Sequence, residues 1–346
     1  MHTEQRHRRR RQATLVLLGL LGISTVLALA MGSVSLPPTT VWQALTGGEV
    51  PQHLALIIHS IRIPRALLAA SVGAILAVCG AILQGLFRNP LADPSLIGVT
   101  AGASVGASLM IMFGASLGAA LGGVAGISLI SLGAFMGGLL AVWLVYRVAT
   151  SVNGTSVATM LLMGIAVSAL AASATGLLDY LADNEMLRRM SLWRMGGLEG
   201  ANFPGAGLAT ALLLFLLIAL PTFGRALNTL LLGESQARHL GIDVERLKTR
   251  LIILVAAGVG LSVAVSGSIA FVGLVVPHMV RLWVGPDHRV LLPLCALGGA
   301  VLLLLADVLA RTVMAPAELP VGLVTALLGA PFFISLLRHR RREGGE

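Results

Sequence analysis

The ionisable side chains within apolar stretches are the residues of this sequence best suited to chemistry. Asp307 is the clearest carboxylate of this kind, and Arg311 follows it by four residues. Residues four apart share one face of a helix, so these two side chains can form an ion pair. Acidic groups inside a membrane often serve ion-coupled transport. A lone carboxylate with an arginine neighbour instead favours a structural pair, which counts against a carrier driven by protons or sodium ions.

Motifs for enzymatic chemistry are missing from the sequence. It contains no G-x-x-x-x-G-K-[ST] phosphate-binding loop, no H-E-x-x-H pair and no G-x-S-x-G nucleophile elbow. Cys79 and Cys295 lie in apolar runs and form neither a disulfide framework nor a metal spacing. We therefore predict no catalytic residue, no metal site and no cofactor in this chain. If ATP hydrolysis drives its function, the ATPase must be another subunit.

The elements that must position the charged residues are membrane helices. Of the 346 residues, 56% are hydrophobic and 11% are charged, and apolar runs of about 20 residues, enough to cross a bilayer, recur throughout. We expect one all-α polytopic domain over 15–337, with a break after the second span at Asn89-Pro90 and Asp93-Pro94. Its fourth run is long enough to tilt or break. The predicted spans are 15–34, 62–86, 95–113, 117–147, 156–178, 205–223, 250–268, 270–284, 290–310 and 320–337.

The basic residues predict the orientation of these helices. With the N-terminus in the cytoplasm, 18 of the 24 Lys and Arg residues fall on the cytoplasmic side, as is usual for membrane proteins. We expect a basic cytoplasmic N-terminus over 1–14, followed by an uncleaved first helix rather than a signal peptide, and a cytoplasmic tail over 338–346. The protein would then be a multi-pass component of a bacterial inner membrane. With aromatic residues at 4%, no stacking platform for nucleic acid is expected.

Six arginines fall on the outer side and break this charge bias. They could bind acidic groups of a docking protein or of an anionic solute, or reach toward lipid headgroups; the residue types leave both readings open. They are Arg62, Arg65, Arg311 and, around Trp193, Arg188, Arg189 and Arg194.

The longest polar segment on the predicted cytoplasmic side is 225–249. Within it, 230–234 and 235–240 are typical of two short amphipathic helices, broken near Gly233 and Gly241. Such a pair could dock into another protein, although an ordinary solvated loop has the same composition.

Residues 73–82 and 260–269 have similar sequences and lie in spans predicted to run in opposite directions. Similar sequence in opposite orientation indicates an inverted-topology repeat. Helices rich in Gly and Ala also match by chance, so the repeat is a hypothesis.

A set of short motifs occurs in a fixed order from about residue 40 onward. They are Arg62-Ile-Pro-Arg65, 84–94 (QGLFRNPLADP), 98–102 (GVTAG), 232–241 (LGESQARHLG), 267–278 (GSIAFVGLVVPH), 285–289 (GPDHR), 306–311 (ADVLAR), 318–322 (ELPVG) and 328–331 (LGAP). Together they resemble the permease family of ATP-binding-cassette (ABC) importers for iron chelates, haem and cobalamin.

The resemblance implies an assembly and a role for several residues. A homodimer of ten-helix subunits would enclose the pathway, with two cytoplasmic ATPase subunits that bind ATP and Mg, and a periplasmic solute-binding protein. The motif positions imply that acidic residues of the binding protein contact Arg62, Arg65 and Arg311. They imply that the cytoplasmic gate contains Asn89 and Leu91. They also imply that the ATPase contacts Gly233, Glu234, Ala237, Leu240 and Gly241.

The cargo is the least constrained part of this reading. Residues 187–197 resemble haem permeases, and Arg188, Arg189 and Arg194 suit haem propionates while Trp193 suits the porphyrin face. The same arginines would suit an anionic ferric siderophore, and cobalamin or another chelate remains an alternative. The alternative of another class is an ion-coupled secondary carrier.

Overall fold

The structure, a computed structural model, describes residues 2–121, 128–152 and 154–343. Helices make up nearly all of it, joined by short turns. In chain order they are α1 (His2–Ala30), α2 (Pro38–Thr46), α3 (Gln52–Leu56), α4 (Ile63–Leu86), α5 (Val99–Leu121), α6 (Leu129–Ala149), α7 (Val157–Leu181), α8 (Asn184–Met195), α9 (Phe203–Leu230), α10 (Glu234–His239), α11 (Val244–Ser266), α12 (Val272–Val284), α13 (His288–Thr312) and α14 (Val321–Glu343).

Three small elements complete the described chain. A π-helical turn over Ile57–Arg62 joins α3 to α4, and a 3₁₀ turn over Pro94–Ile97 precedes α5. Between α6 and α7 the chain forms an antiparallel hairpin of β1 (Thr150–Ser151) and β2 (Gly154–Thr155).

The apolar helices confirm the expected all-α polytopic fold. In the part of the chain that the structure describes, seven helices are long and apolar enough to cross a membrane, and three shorter apolar helices occur at Val99–Gly114, Val272–Val284 and Val321–Ser335. These ten correspond in order to the ten predicted spans. The short eighth span, α12, has 13 residues.

Three predicted boundaries are wrong. Helix α5 continues to Leu121, past the predicted end of the third span at 113, so the start of the predicted fourth span belongs to α5. The over-long fourth run, expected to tilt or break, is divided between α5, which reaches Leu121, and α6, which begins at Leu129; 122–127 lie outside the described residues. Segment 225–249 is not a long loop, because α9 continues to Leu230 and α11 begins at Val244. It contains one short helix, α10, instead of two.

The second span is longer than predicted and has a local defect. From Gln52 to Leu86 the chain forms one helical rod of 35 residues, within which the π-helical turn ends at Arg62. Pro64 follows, and proline cannot donate the backbone hydrogen bond that residue 60 would otherwise accept. The proline therefore accounts for the widened turn, which is a common irregularity at functional positions.

Helix α4 is the centre of the bundle and packs against α9, α11, α12 and α13. Of the residues in its apolar stretch, 89% are buried. Gly73 faces Gly299 of α13, and Gly80 faces Gly273 of α12, so closely that a Cβ atom at Gly73 or Gly80 would overlap the opposing backbone. Small residues let membrane helices approach closely without cavities, and these pairs therefore fix the position of α4.

The bundle has two ends, which we name after the short helices they contain. At the α10 end lie the start of α1 and the α12–α13 turn, joined by an ion pair between Arg10 and Asp287 at 3.0 Å. At the α8 end lie the end of α1 and the starts of α4 and α14. The chain thus separates the basic residues predicted to be cytoplasmic, such as Arg10 and Arg281, from the outer group that includes Arg62.

Candidate docking, gate and coupling sites

A cluster of buried charges lies at the α8 end, and it contains the three arginines expected to dock a binding protein. Arg65 contacts Asp307 at 2.9 Å and Glu318 at 2.7 Å. Arg311 contacts the same Asp307 at 3.0 Å, which confirms the predicted pair on one helix face. Asp307 is fully buried, so its charge requires an ion-pair partner, and both arginines are in contact with it.

The remaining hydrogen bonds of this arginine cluster tie it to the end of α1. Arg62 donates to the carbonyl oxygens of Leu29 and Val34, and Arg311 donates to that of Ala28 at 3.1 Å. Free carbonyls at a helix C-terminus carry partial negative charge, which suits them to guanidinium groups. The cluster therefore joins α1, α4 and α13.

The burial of Arg62, Arg65 and Arg311 bears on how they could dock a partner. They are only 4%, 6% and 4% exposed, and the structure commits each of them to partners within the chain. Three positive charges face two negative ones, so the cluster keeps a net positive charge. Glu318, which sequence reasoning left without a role, is its most accessible carboxylate, with a side chain 24% exposed.

Helix α8, which carries the candidate cargo contacts, was not predicted as an element. Asp183 caps its N-terminus by accepting a hydrogen bond from the backbone of Met186 at 2.8 Å. Arg188 and Arg189 are exposed, whereas Arg194 forms an ion pair with Asp179 of α7 at 2.7 Å. The structure therefore does not place the three arginines on one surface.

Trp193, the aromatic residue of this group, lines a cavity of about 330 Å³ with Glu199, Asn202 and Ser266. The cavity lies between α8, α9 and α11 at the α8 end. Its volume falls at the lower end of the range for small-molecule sites.

A second opening is a groove between α5 and α7. Two adjoining cavities of about 470 and 320 Å³ share Ala101, Ser104 and Ser168, and the second extends to Asp179 and Arg194. The groove combines small and hydroxyl-bearing residues with a charged pair at the α8 end, on helices that are otherwise apolar. Only 22% of the residues in the apolar stretch of α7 are buried, so most of its side chains are not covered by the rest of the chain.

The turn that holds the predicted gate residues follows α4 at the α10 end. Arg88 has a left-handed backbone conformation with φ 49°, which ends the helix, and Asn89 accepts a hydrogen bond from the backbone of Leu91 at 3.0 Å. Asp93 likewise accepts from Ser95 at 2.9 Å. These Asx turns confirm the break predicted from the Asn-Pro and Asp-Pro pairs. Asn89 is exposed and Leu91 half-buried.

The predicted coupling residues lie within α10 and in the turns at its two ends. Gly233, with φ 113°, allows the sharp turn between α9 and α10, and Ala237 is fully buried beneath the helix. Leu232 and Leu240 flank α10 and are each 64% exposed. A short helix with exposed leucines on both sides is suited to contact another protein.

A second polar cluster at this end, which the sequence did not reveal, surrounds Asp287 before α13. The Asp287 carboxylate accepts hydrogen bonds from Asn228 at 2.7 Å and from Arg10 at 3.0 Å, and it forms another ion pair with Arg289. Partial burial raises the pKa of Asp287, but the hydrogen bonds from Arg289 and Asn228 outweigh burial and hold this pKa well below its usual value. Asp287 is thus a charged anchor for α1, α9 and α13.

Among the residues described, no three His, Cys, Asp or Glu side chains come together as metal ligands. Cys79 and Cys295 are buried free thiols.

Comparisons with known proteins agree with these features. Residues 20–339 match the model of the FecCD transport family. The hemin transport system permease protein HmuU of Yersinia pestis is 45% identical over 340 residues, which cover 96% of this chain and 98% of that relative. The vitamin B12 import system permease protein BtuC of Serratia proteamaculans is 41% identical over 334 residues, with 96% and 94% covered.

The fold itself also matches a solved structure. A protein described as an inward-facing metal-chelate type ABC transporter superposes with a TM-score of 0.81 at 33% identity, covering 94% of this chain and 98% of that one. The family match extends over most of the sequence and the structural match over most of the fold. The chain therefore belongs to the FecCD transport family, as its motifs predicted.

Proposed function

We propose that the chain is the permease subunit of an ATP-driven importer that moves haem, or a related iron chelate, into the cytoplasm. The observation that carries the proposal is the 45% identity to a hemin permease over nearly the whole of both chains. The relatives named for vitamin B12 keep cobalamin as an alternative cargo, and a ferric siderophore is another.

The proposed assembly contains two copies of the chain, with the pathway between them. The groove of Ser104 and Ser168 supports this arrangement, because hydroxyl-lined openings on an apolar surface suit a water-filled path better than lipid. The uncovered surface of α7 includes Leu162, Leu170 and Tyr180, at 68%, 68% and 85% exposed. A second copy would bury these side chains.

The energy would come from two ATPase subunits at the α10 end. The exposed Leu232 and Leu240 support contact there, and ATP with Mg, bound in those subunits, would supply the driving force. The many basic residues at this end favour a cytoplasmic location. The chain would then lie in a bacterial inner membrane with both termini in the cytoplasm and the α8 end facing the periplasm.

The binding protein would dock at the α8 end. The net positive charge of the arginine cluster and the exposed Arg188 and Arg189 would attract acidic residues and orient the partner. Because Arg62, Arg65 and Arg311 are bonded inside the chain, direct contact with them requires a partner carboxylate to replace an internal acceptor, which is a backbone carbonyl for Arg62 and a carboxylate for Arg65. Arg65, whose partner Glu318 is partly exposed, is the most accessible for such an exchange.

One experiment separates the cargoes. The complex of this chain with its ATPase is reconstituted and presented with binding proteins loaded with haem, a ferric siderophore or cobalamin. Haem-loaded protein should stimulate ATP hydrolysis and drive haem uptake. Stimulation by another loaded protein alone would reassign the cargo, and no stimulation by any would refute the importer.

A further inference from the structure

Lys248 of α11 is a buried cation with an unusual set of partners. Its side chain is 3% exposed, and its ammonium group donates to Glu234 at 2.8 Å, to Glu245 at 3.2 Å and to the carbonyl oxygen of Thr155 at 2.9 Å. An ammonium group has three donor hydrogens, so each can serve one of these acceptors. The three acceptors belong to α10, to α11 and to β2.

Thr155 is held through both of its backbone polar groups, the N–H and the carbonyl oxygen. Glu245 accepts a hydrogen bond from the backbone N–H of Thr155 at 2.8 Å, while Lys248 binds the carbonyl oxygen. The next residue, Ser156, caps the N-terminus of α7. The two side chains of α11 therefore hold the end of the β1–β2 hairpin and, one residue later, the start of α7.

Glu234 connects the same ammonium group to α10, where it is the first residue of the helix. Arg238 of α10 also pairs with Glu245 at 3.3 Å, but its side chain is 55% exposed. Ion pairs between exposed side chains contribute little, whereas a buried charge that loses its partner is left without compensation. Lys248 is therefore the strong link between α10 and the hairpin.

We propose that Lys248 is a positioning residue that transmits movement of α10 to the β1–β2 hairpin and to the start of α7. The inference rests on the proposed function, in which the ATPase moves α10 and α7 borders the pathway. Because the bonds of Lys248 to Glu234 and to Thr155 are short, at 2.8 and 2.9 Å, and its ammonium group is buried, a shift of Glu234 displaces the ammonium group and with it the backbone of Thr155. Without this link, α10 can move while the hairpin stays in place.

The test compares Lys248→Met with Arg246→Met in the reconstituted complex with ATPase and binding protein. Methionine keeps the length and apolar stem of lysine and removes its three donors. Arg246 is on the same helix, but its side chain is 79% exposed and forms an ion pair with the exposed Asp243, three residues earlier, so its replacement controls for loss of one charge. Lys248→Met should keep ATPase binding and hydrolysis but lower the cargo moved per ATP by about tenfold, a typical size for coupling between sites.

Spin labels identify the step that is lost. Labels at Ser235 in α10 and, in separate samples, at Val152 in the hairpin report distances between the two copies without nucleotide and with trapped ATP. Both distances should change in the Arg246→Met control, and only the Ser235 distance in Lys248→Met. Equal changes at Val152 in the two variants, with equal cargo moved per ATP, would overturn the inference.

A second variant covers the case in which Lys248→Met does not fold. Glu245→Gln keeps the volume of the side chain and removes the charge that faces both Lys248 and the N–H of Thr155. It should also lower the cargo moved per ATP, and a value equal to that of the control would overturn the inference. Failure of the unaltered chain to bind an ATPase would instead refute the proposed function.

Discussion

Removing the charge of Asp307 is the most direct perturbation of the arginine cluster. The side chain is fully buried and contacts Arg65 at 2.9 Å and Arg311 at 3.0 Å. Asp307→Asn keeps the size of the side chain but leaves three arginines facing one carboxylate, that of Glu318. Arg311 would then retain only carbonyl partners.

The expected cost follows from this burial. Removing one partner of a buried ion pair destabilises a protein by about 3–5 kcal/mol, because the other charge is left without compensation. The matched control is Asp243→Asn, which breaks a pair with side chains 53% and 79% exposed. An exposed pair contributes at most about 1 kcal/mol, so the two substitutions should differ severalfold.

Reversible unfolding in mixed detergent micelles, followed by circular dichroism, measures both free energies of unfolding. Asp307→Asn should lower the free energy by about 3–5 kcal/mol and loosen α1, which the arginines hold through its terminal carbonyls. If the two variants lie within about 1 kcal/mol of each other, the cluster does not stabilise the fold as argued.

Three further predictions concern other contacts. Glu318→Gln removes the more accessible carboxylate partner of Arg65, leaving Asp307, and should tighten docking of the binding protein at low salt, measured by surface plasmon resonance; unchanged affinity would argue against exchange of carboxylates. Gly80→Leu should destabilise the bundle by at least about 1–3 kcal/mol through overpacking, whereas Gly207→Leu, with open space around it, should not; equal unfolding temperatures would contradict the packing. The pKa of Asp287 is lower in the folded protein than its ordinary value of 3.8. Its ionised carboxylate should therefore stabilise the fold above pH 3.8, and this stabilisation should decline as the pH falls below that value. Asp287→Asn should remove this pH dependence of the free energy of unfolding in acid titrations.

The sequence was sufficient to predict the number and order of the apolar helices, because each requires a long run of apolar residues. It also predicted the break after α4, where two X-Pro pairs exclude a continuous helix. The Asp307–Arg311 pair followed from helical spacing alone. These predictions depend on residues close together in the chain.

The features that the sequence did not predict depend on distant contacts. The boundary between α5 and α6 was misplaced because Gly and Ala residues near 117 are as apolar as the helices around them. The burial of Arg62 depends on carbonyls of α1 about 30 residues away. Lys248 appeared to be one of several charges in a polar segment, and only folding brings it to Thr155.

The central claim is that this chain is a conduit whose energy comes from a separate ATPase. Uptake of haem into proteoliposomes tests it most directly, with the chain reconstituted alone or together with its ATPase and loaded binding protein. Uptake should require all three components and ATP hydrolysis, and should not respond to an imposed ion gradient. Uptake by the chain alone, driven by a proton or sodium gradient, would contradict the claim.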